Sequence, residues 1–146
     1  MPGFTKTEIA RLDPTGARAN LVSRTLPNAA REGDILLVTP KSGESFAGVL
    51  MQIRRRGTDT AIQLRGQAMG TGVEMWYKVF SPQVVGIDIV WRRPKRARRA
   101  RLTYMRKPKH DMGDVTKYVI DWRREQRQLR SKGKAARGDK SMGRKF

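Results

Sequence analysis

The sequence contains no cysteine and few acidic side chains. The absence of cysteine from all 146 residues excludes disulfide bonds, thiolate metal sites and a cysteine nucleophile. Acidic residues number 13 against 32 Lys and Arg, which gives a formal net charge of +19 at pH 7. A compact chain with this charge repels itself unless a polyanion compensates it. We therefore expect a nucleic acid as the partner.

The sequence also lacks long apolar runs. No stretch approaches the ~18 apolar residues of a membrane span, and the N-terminal region has no apolar signal-peptide core. Gly70 and Gly72 could begin a nucleotide loop, but no Walker lysine or dinucleotide fingerprint follows them. We interpret these glycines as a tight turn that needs positive φ. No membrane, small-molecule substrate, metal or cofactor is predicted.

Short strand-like segments dominate the first two thirds of the chain; the first is a continuous apolar run, and the others alternate in polarity. Six such segments occupy about 70 residues, with turns and no helix between them, which is the spacing of a small antiparallel barrel. We therefore predict a mainly β fold built on an SH3-like barrel. The six predicted strands span residues 35–39, 46–55, 60–65, 73–80, 84–91 and 99–105.

An N-terminal arm and a C-terminal extension flank the predicted barrel. Thr5 and Glu8 have the spacing of a capping box, which predicts a short helix in an otherwise irregular arm. Apolar side chains behind Asp114 follow helical spacing, with Asp114 as the N-cap. From Ser131 the chain is rich in Gly, Lys and Arg, and we expect disorder until it binds. The predicted units are an arm over 1–31, a barrel over 32–108 and a basic extension over 109–146.

The segment 92–101 is the strongest candidate for a binding surface. Residues 1–91 carry 11 basic and 8 acidic side chains, whereas residues 92–146 carry 21 and 5. Seven of the ten residues in 92–101 are Lys or Arg, and guanidinium groups bind phosphate oxygens in a bidentate manner. The flanking alternation predicts two half-buried strands around a cationic turn, with Arg99 and Arg101 on the outer face. A solvated charge run or a localisation signal is the alternative, but such runs usually lie in disordered tails.

Further basic side chains extend this surface to a hairpin tip and to the C-terminal helix. They share an expected role in binding RNA phosphates, and none is predicted to be catalytic. The predicted RNA-binding residues are Arg54, Arg55, Arg56, Arg65, Arg92, Arg93, Lys95, Arg96, Arg98, Arg99, Arg101, Arg106, Lys107, Lys109, Arg123, Arg124, Arg127 and Arg130.

Two alternatives to an RNA-binding surface remain open. His110 is the only histidine, and with Asp111 it could serve an RNA-modifying or RNA-cleaving enzyme. No nucleophile or second partner lies near them in sequence, so an enzyme is not our prediction. A free nucleic-acid-binding barrel is the other alternative. Trp76 and Trp122 could each stack a base, although packing against protein is the commoner role of such residues.

Seven motifs resemble the bacterial-type large-subunit ribosomal protein nineteen family in order and spacing. The resemblance covers roughly residues 33–107. The motifs are Phe46-Ala-Gly-Val-Leu, Ile53-Arg-Arg-Arg-Gly, Leu64-Arg65, Gly70-Thr-Gly-Val-Glu74, Ser81-Pro82, Ile87-Asp-Ile-Val90 and Arg98-Arg-Ala-Arg-Leu-Thr-Tyr-Met-Arg106.

This resemblance implies a structural role in translation without catalysis. It implies an SH3-like barrel bound to large-subunit ribosomal RNA near the small-subunit interface, with an intersubunit bridge to small-subunit ribosomal RNA. It also implies large-subunit ribosomal proteins three and fourteen as neighbours, and RNA-facing positions at Arg54–Arg56, Arg65 and Arg92–Arg106. The arm and residues 111–132 depart from the family pattern, as does the short connection between the first two strands. A chain that keeps the family's core but alters its extensions suggests an organellar ribosome. We therefore predict that the protein is located in the mitochondrial matrix, with a plastid or a bacterial cytoplasm as alternatives.

Overall fold

A computed structural model describes the backbone of residues 2–142 and the side chains of residues 3–133. In this part of the chain, five strands form one antiparallel sheet that three α-helices flank. None of these helices is long and apolar enough to cross a membrane. The elements are α1 (Pro2–Leu12), α2 (Ala17–Leu21), β1 (Ile35–Pro40), β2 (Phe46–Arg54), β3 (Ala61–Ala68), β4 (Thr71–Lys78), β5 (Val84–Trp91) and α3 (Thr116–Met142), with short 3-10 turns at Gly57–Asp59, Thr103–Arg106 and Pro108–His110.

The first four strands form a meander, and β5 returns to pair with β1. The order across the sheet is β4-β3-β2-β1-β5, and every pairing is antiparallel. β3 and β4 are joined by a two-residue turn at Met69 and Gly70, whose φ values of 52° and 77° suit the twist of adjacent strands. The prediction of a mainly β fold with an N-terminal arm and a C-terminal helix is confirmed. The return of the last strand to the first is the arrangement expected of an SH3-like barrel.

One face of the sheet encloses the main hydrophobic core. All five strands contribute to it, and the arm adds Val22 and Ala30, so the arm covers this core. Removing a large aliphatic side chain from water stabilises the fold by about 1.5–3 kcal/mol. The fully buried strand residues of this core include Leu36, Val38, Leu50, Ile62 and Leu64.

The N-terminal arm is more ordered than the sequence predicts. α1 begins at Pro2, a residue that is well suited to the first helical position, so Thr5 and Glu8 lie inside the helix and do not cap it. Arg18 on α2 donates four hydrogen bonds of 2.5–3.4 Å to backbone carbonyl oxygens of residues 79–85. These bonds attach the arm to the sheet.

The predicted sixth strand is wrong. Residues 92–102 form a loop, and Thr103–Arg106 form a single 3-10 turn. Leu102 and Met105 are both buried against the outer face of the sheet, whereas a strand would point residues three apart to opposite faces. The N–H of Leu102 donates to the carbonyl oxygen of Met51 at 3.0 Å, at the point where the pairing of β2 with β3 shifts register. The chain therefore crosses the outer face instead of extending the sheet.

α3 begins where the sequence predicts and completes a second, outer core. A carboxylate oxygen of Asp114 accepts the N–H of Thr116 at 2.9 Å, as an N-cap does. Val115 is buried in the outer core, and the ring of Tyr118 lies against that of Trp91 with centroids 5.3 Å apart. The domain limits stay predictions, although this packing attaches the start of the extension to the barrel.

The end of α3 differs from the sequence prediction. The helix continues through Ser131 to Met142, where the composition predicted disorder. Lys, Ala and Arg are good helix formers, which accounts for the continuation. The last part of that prediction, residues 143–146, lies outside the described residues.

Candidate nucleic-acid interface

Residues 92–101, here called the basic loop, carry uncompensated positive charge. Five of its seven cations are exposed and have no ion pair or side-chain hydrogen bond within the described part of the chain. They are therefore free to bind an external anion. These five are Lys95, Arg96, Arg98, Arg99 and Arg101.

The other two basic residues, Arg92 and Arg93, attach the start of the basic loop to the rest of the protein, the first through its side chain and the second through its backbone. The guanidinium of Arg92 donates to the carbonyl oxygens of Ala29 at 3.1 Å and Asn28 at 2.6 Å. The backbone N–H of Arg93 donates to Oδ1 of Asp34 at 3.0 Å. The loop thus leaves β5 in a fixed direction. The guanidinium of Arg92, predicted to contact RNA, is already engaged by the arm.

A network of ion pairs fixes the chain beyond the basic loop. Glu74 accepts hydrogen bonds from Nη1 of Arg65 (3.0 Å) and from Nε and Nη2 of Arg106 (2.8 and 2.9 Å). Nε2 of Gln63 also donates to Glu74, at 2.8 Å. Arg65 donates from Nε (3.1 Å) and Nη2 (2.7 Å) to Oδ2 of Asp111. The network joins β3 and β4 to Arg106 and Asp111, which lie at the two ends of the segment 106–111.

The ion pairs shift the pKa values of the groups that form them. The hydrogen bonds from Arg106, followed by those from Arg65, lower the pKa of the Glu74 carboxyl against the opposing effect of partial burial. Arg65 lowers the pKa of Asp111 with help from the Gly113 N–H. Asp111 and then Glu74 raise the pKa of Arg65. Both carboxyl groups therefore stay ionised at neutral pH, and the network stays intact there.

The network changes the roles of two residues that the sequence predicted to face RNA. The side chain of Arg65 is only 14% exposed and is held by two carboxylates, so it positions the segment. The side chain of Arg106 is 54% exposed, and its Nη1 has no hydrogen bond within the described residues. Sequence reasoning did not identify Glu74 and Asp111 as the partners of these arginines, and it considered Asp111 only beside His110. One signal was available, because a two-residue turn at 69–70 places Arg65 directly opposite Glu74.

The hairpin tip between β2 and β3 forms a second cationic patch. Arg54 and Arg56 are exposed there. Nε of Arg55 instead donates to the carbonyl oxygen of Val22 at 2.7 Å, and burial lowers the pKa of this guanidinium. Lys107 and Lys109 are also exposed, and they lie between two members of the network, Arg106 and Asp111.

The predicted cations of α3 all lie on the surface. Arg124 pairs with Asp121 at 3.9 Å, and exposed pairs of this kind hold side chains only weakly. Nε of Arg127 donates to a carbonyl oxygen of its own helix at 3.3 Å. The four exposed cations are Arg123, Arg124, Arg127 and Arg130. They remain available for an external anion.

The residues of the enzymatic alternative are not arranged as an acid–base pair. The ring of His110 packs edge-on against Tyr104, with centroids 5.4 Å apart. The carboxylate of Asp111 is bound by Arg65. The described residues also contain no group of three or more His, Cys, Asp or Glu side chains that could hold a metal ion. This arrangement gives no support to acid–base chemistry at His110.

The glycines that could begin a nucleotide loop have structural roles. Gly70 lies in the hairpin turn with positive φ, as predicted. For Gly72 the prediction of positive φ is wrong, because this residue belongs to β4; a Cβ there would lie 3.0 Å from Nη2 of Arg65. The turn is followed by a strand and not by the helix that a phosphate-binding loop requires.

Comparison with known proteins identifies the family. The family model described as ribosomal protein L19 matches residues 24–117. The chain is 56% identical over 134 residues to large ribosomal subunit protein bL19m of Neurospora crassa, covering 91% of this chain and 52% of that protein. It is 37% identical over 125 residues to large ribosomal subunit protein bL19m of Schizosaccharomyces pombe, covering 80% of this chain and 69% of that protein.

A bacterial relative matches over a shorter region. The chain is 39% identical over 83 residues to large ribosomal subunit protein bL19 of Thermus thermophilus, covering 52% of this chain and 56% of that protein. The chain spans about half the length of the Neurospora relative. The family model covers more than half of the chain and includes the whole sheet and the basic loop. The family predicted from the seven motifs is thereby confirmed, and the chain belongs to the ribosomal protein L19 family.

Proposed function

We propose that this chain is a structural, non-catalytic constituent of the large subunit of the mitochondrial ribosome, where it binds ribosomal RNA. The observation that carries the proposal is the basic loop, whose five exposed cations have no partner among the described residues. Membership of the ribosomal protein L19 family, and the two fungal relatives named bL19m, support the ribosomal and mitochondrial assignment.

The way in which the basic loop is held favours binding to folded RNA. The start of the loop is attached through Arg92, and its end is attached where Leu102 enters the outer core. Because both ends are fixed before binding, less conformational entropy is lost when the guanidinium groups meet phosphates. Contacts of this type position a protein on RNA without reading its sequence. Affinity then comes from charge and from shape.

The more detailed location is also part of the proposal. We place the interface near the face of the large subunit that meets the small subunit, with small-subunit ribosomal RNA at an intersubunit bridge. Large-subunit ribosomal proteins three and fourteen are the proposed neighbours, and the mitochondrial matrix is the proposed compartment. The location is supported by the resemblance of the motif Arg98–Arg106 and of the hairpin tip to the family, and the compartment by the two fungal relatives named bL19m.

Sedimentation tests the ribosomal assignment. An epitope-tagged chain, expressed in the mitochondria of a filamentous fungus, should sediment in sucrose gradients with the large subunit and with assembled ribosomes. Ribonuclease treatment should release it to the top of the gradient. Cross-linking should connect residues 92–106 to large-subunit ribosomal RNA. A chain that stays at the top of the gradient, or that sediments with DNA, would instead identify a free nucleic-acid-binding barrel.

A further inference from the structure

An exposed tryptophan lies on the outer face of the sheet, beside the end of the basic loop at Arg101. Trp76 on β4 is 45% exposed, although its strand packs a hydrophobic core on the other face. In the strand register it lies opposite Gln63, which in turn lies opposite Gln52. Gln52 donates to Gln63 at 2.9 Å, and Gln63 donates to Glu74 at 2.8 Å. The indole therefore projects from a row of side chains that is already fixed.

Trp76 lines an open groove that is strongly cationic. The groove has a volume of about 510 Å³, which is sufficient for one nucleotide. Gln52 forms part of its wall, and Oε1 of Gln52 has no hydrogen-bond donor within the described residues. Glu32 is the one acidic side chain among the residues that line the groove. Five arginines oppose it: Arg24, Arg54, Arg55, Arg56 and Arg101.

We propose that this tryptophan groove binds an unpaired nucleotide of single-stranded RNA, with the base stacked on Trp76 and its phosphate held by the arginines. The inference rests on the proposed function and specifies one RNA contact, in which Arg101 is the only cation that belongs to the basic loop. Bases of any sequence stack on aromatic side chains, and guanidinium planes add both charge and stacking. The free Oε1 of Gln52 can accept a hydrogen bond from an exocyclic amine of the base. An acidic peptide would use the arginines but would leave the indole without a partner.

Paired substitutions of Trp76 test this inference on the full chain. A fluorescent single-stranded hexanucleotide of uridine and cytidine serves as the probe, and a hairpin RNA without unpaired bases in its stem serves as the structured RNA. Trp76→Leu should weaken hexanucleotide binding by roughly 5- to 150-fold, the range measured for loss of base–aromatic stacking. Trp76→Phe keeps an aromatic face and should retain most of the affinity. Trp122→Leu removes a different, half-buried indole on α3 and should leave hexanucleotide binding unchanged.

The outcomes separate the groove from the proposed function. Thermal melts first confirm that each variant is folded. Equal hexanucleotide binding by the wild type and Trp76→Leu, with hairpin RNA still bound, would refute the groove and leave the proposed function intact. Failure of the wild type to bind either RNA would refute both. Equal binding of a polyglutamate peptide by the wild type and by Trp76→Leu, tighter than that of the hexanucleotide, would assign the groove to an acidic protein ligand.

Discussion

Replacing three arginines of the basic loop should reduce the salt dependence of RNA binding. The variant Arg98→Gln, Arg99→Gln, Arg101→Gln removes three of the five cations that are free in the structure. These side chains are exposed and belong to no ion pair of the described residues, so the fold should be preserved. Exposed substitutions of this kind usually change the free energy of unfolding by no more than about 0.5 kcal/mol.

The size of the effect follows from the number of free cations. Each phosphate that a protein neutralises contributes about 0.9 to the slope of log affinity against log salt concentration. If each of the five cations meets one phosphate, the loop alone makes affinity fall roughly 500-fold between 50 and 200 mM salt. The two cations that remain in the variant would give a fall of roughly 12-fold over the same range. The difference is large compared with the error of a titration.

A charge-matched control separates direct contacts from overall net charge. The variant Lys6→Gln, Arg11→Gln, Lys41→Gln also loses three positive charges, from exposed positions outside the basic loop. Fluorescence anisotropy with a fragment of large-subunit ribosomal RNA, at a series of salt concentrations, gives the slope for each protein. The control should keep a slope close to that of the wild type. If the two triple variants have the same slope, the basic loop makes no phosphate contacts of its own, and our assignment of the interface is wrong.

Three further predictions concern the elements that hold the interface. Glu74→Gln should lower the free energy of unfolding in urea by about 1–2 kcal/mol, because Arg65 loses a charged acceptor. Folding lowers the pKa of Glu74, so the ionised carboxylate contributes its full stabilisation above the unfolded pKa of about 4.3 and loses it as pH falls through the folded pKa. The free energy of unfolding of Glu74→Gln, measured against pH, should therefore lack this loss of stability. Gly70→Ala, at φ 77°, should lower the melting temperature by more than Gly70→Asn, which tolerates a left-handed backbone; equal melting temperatures would contradict the turn assignment. Truncation after Lys109 should keep the strand content but lower the melting temperature, because the outer core loses Val115. Truncation after residue 133 should leave the melting temperature unchanged. Equal melting temperatures for the two truncated chains would support the predicted domain boundary at 108.

The strands of the sheet could be predicted from local patterns, which are a continuous apolar run for β1 and alternating polarity for the others. β5 was predicted with its exact limits, and β1 and β2 within one residue at their ends. The start of α3 was also predictable, because Asp114 supplies a local capping signal. In each of these cases the information lies within a few neighbouring residues. The period of the apolar residues and a capping residue are sufficient to predict an element when its buried face follows from its own sequence.

The segment after the basic loop could not be predicted, because two periods fit it. Ala100, Leu102 and Tyr104 alternate as in a strand, but Leu102 and Met105 also have the spacing of a 3-10 turn. Ala100 is exposed and Met105 is buried, so the second pattern is the one that folds. A tertiary contact favours it, since the Leu102 N–H meets a carbonyl oxygen of β2 about 50 residues earlier in the chain. Local alternation carries no information about that carbonyl.

Which arginines are paired within the protein and which remain free also depends on partners that are distant in the sequence. Net charge predicts RNA binding, but it does not tell which guanidinium groups remain free. Arg65 is engaged by a carboxylate 46 residues away, and Arg106 by one 32 residues away. Their acceptors, Asp111 and Glu74, belong to the small acidic minority of the sequence. Because acidic side chains are so few, those near the basic loop determine where the chain beyond it is fixed, and the loop cations that meet neither a carboxylate nor a backbone carbonyl are left free for an external anion.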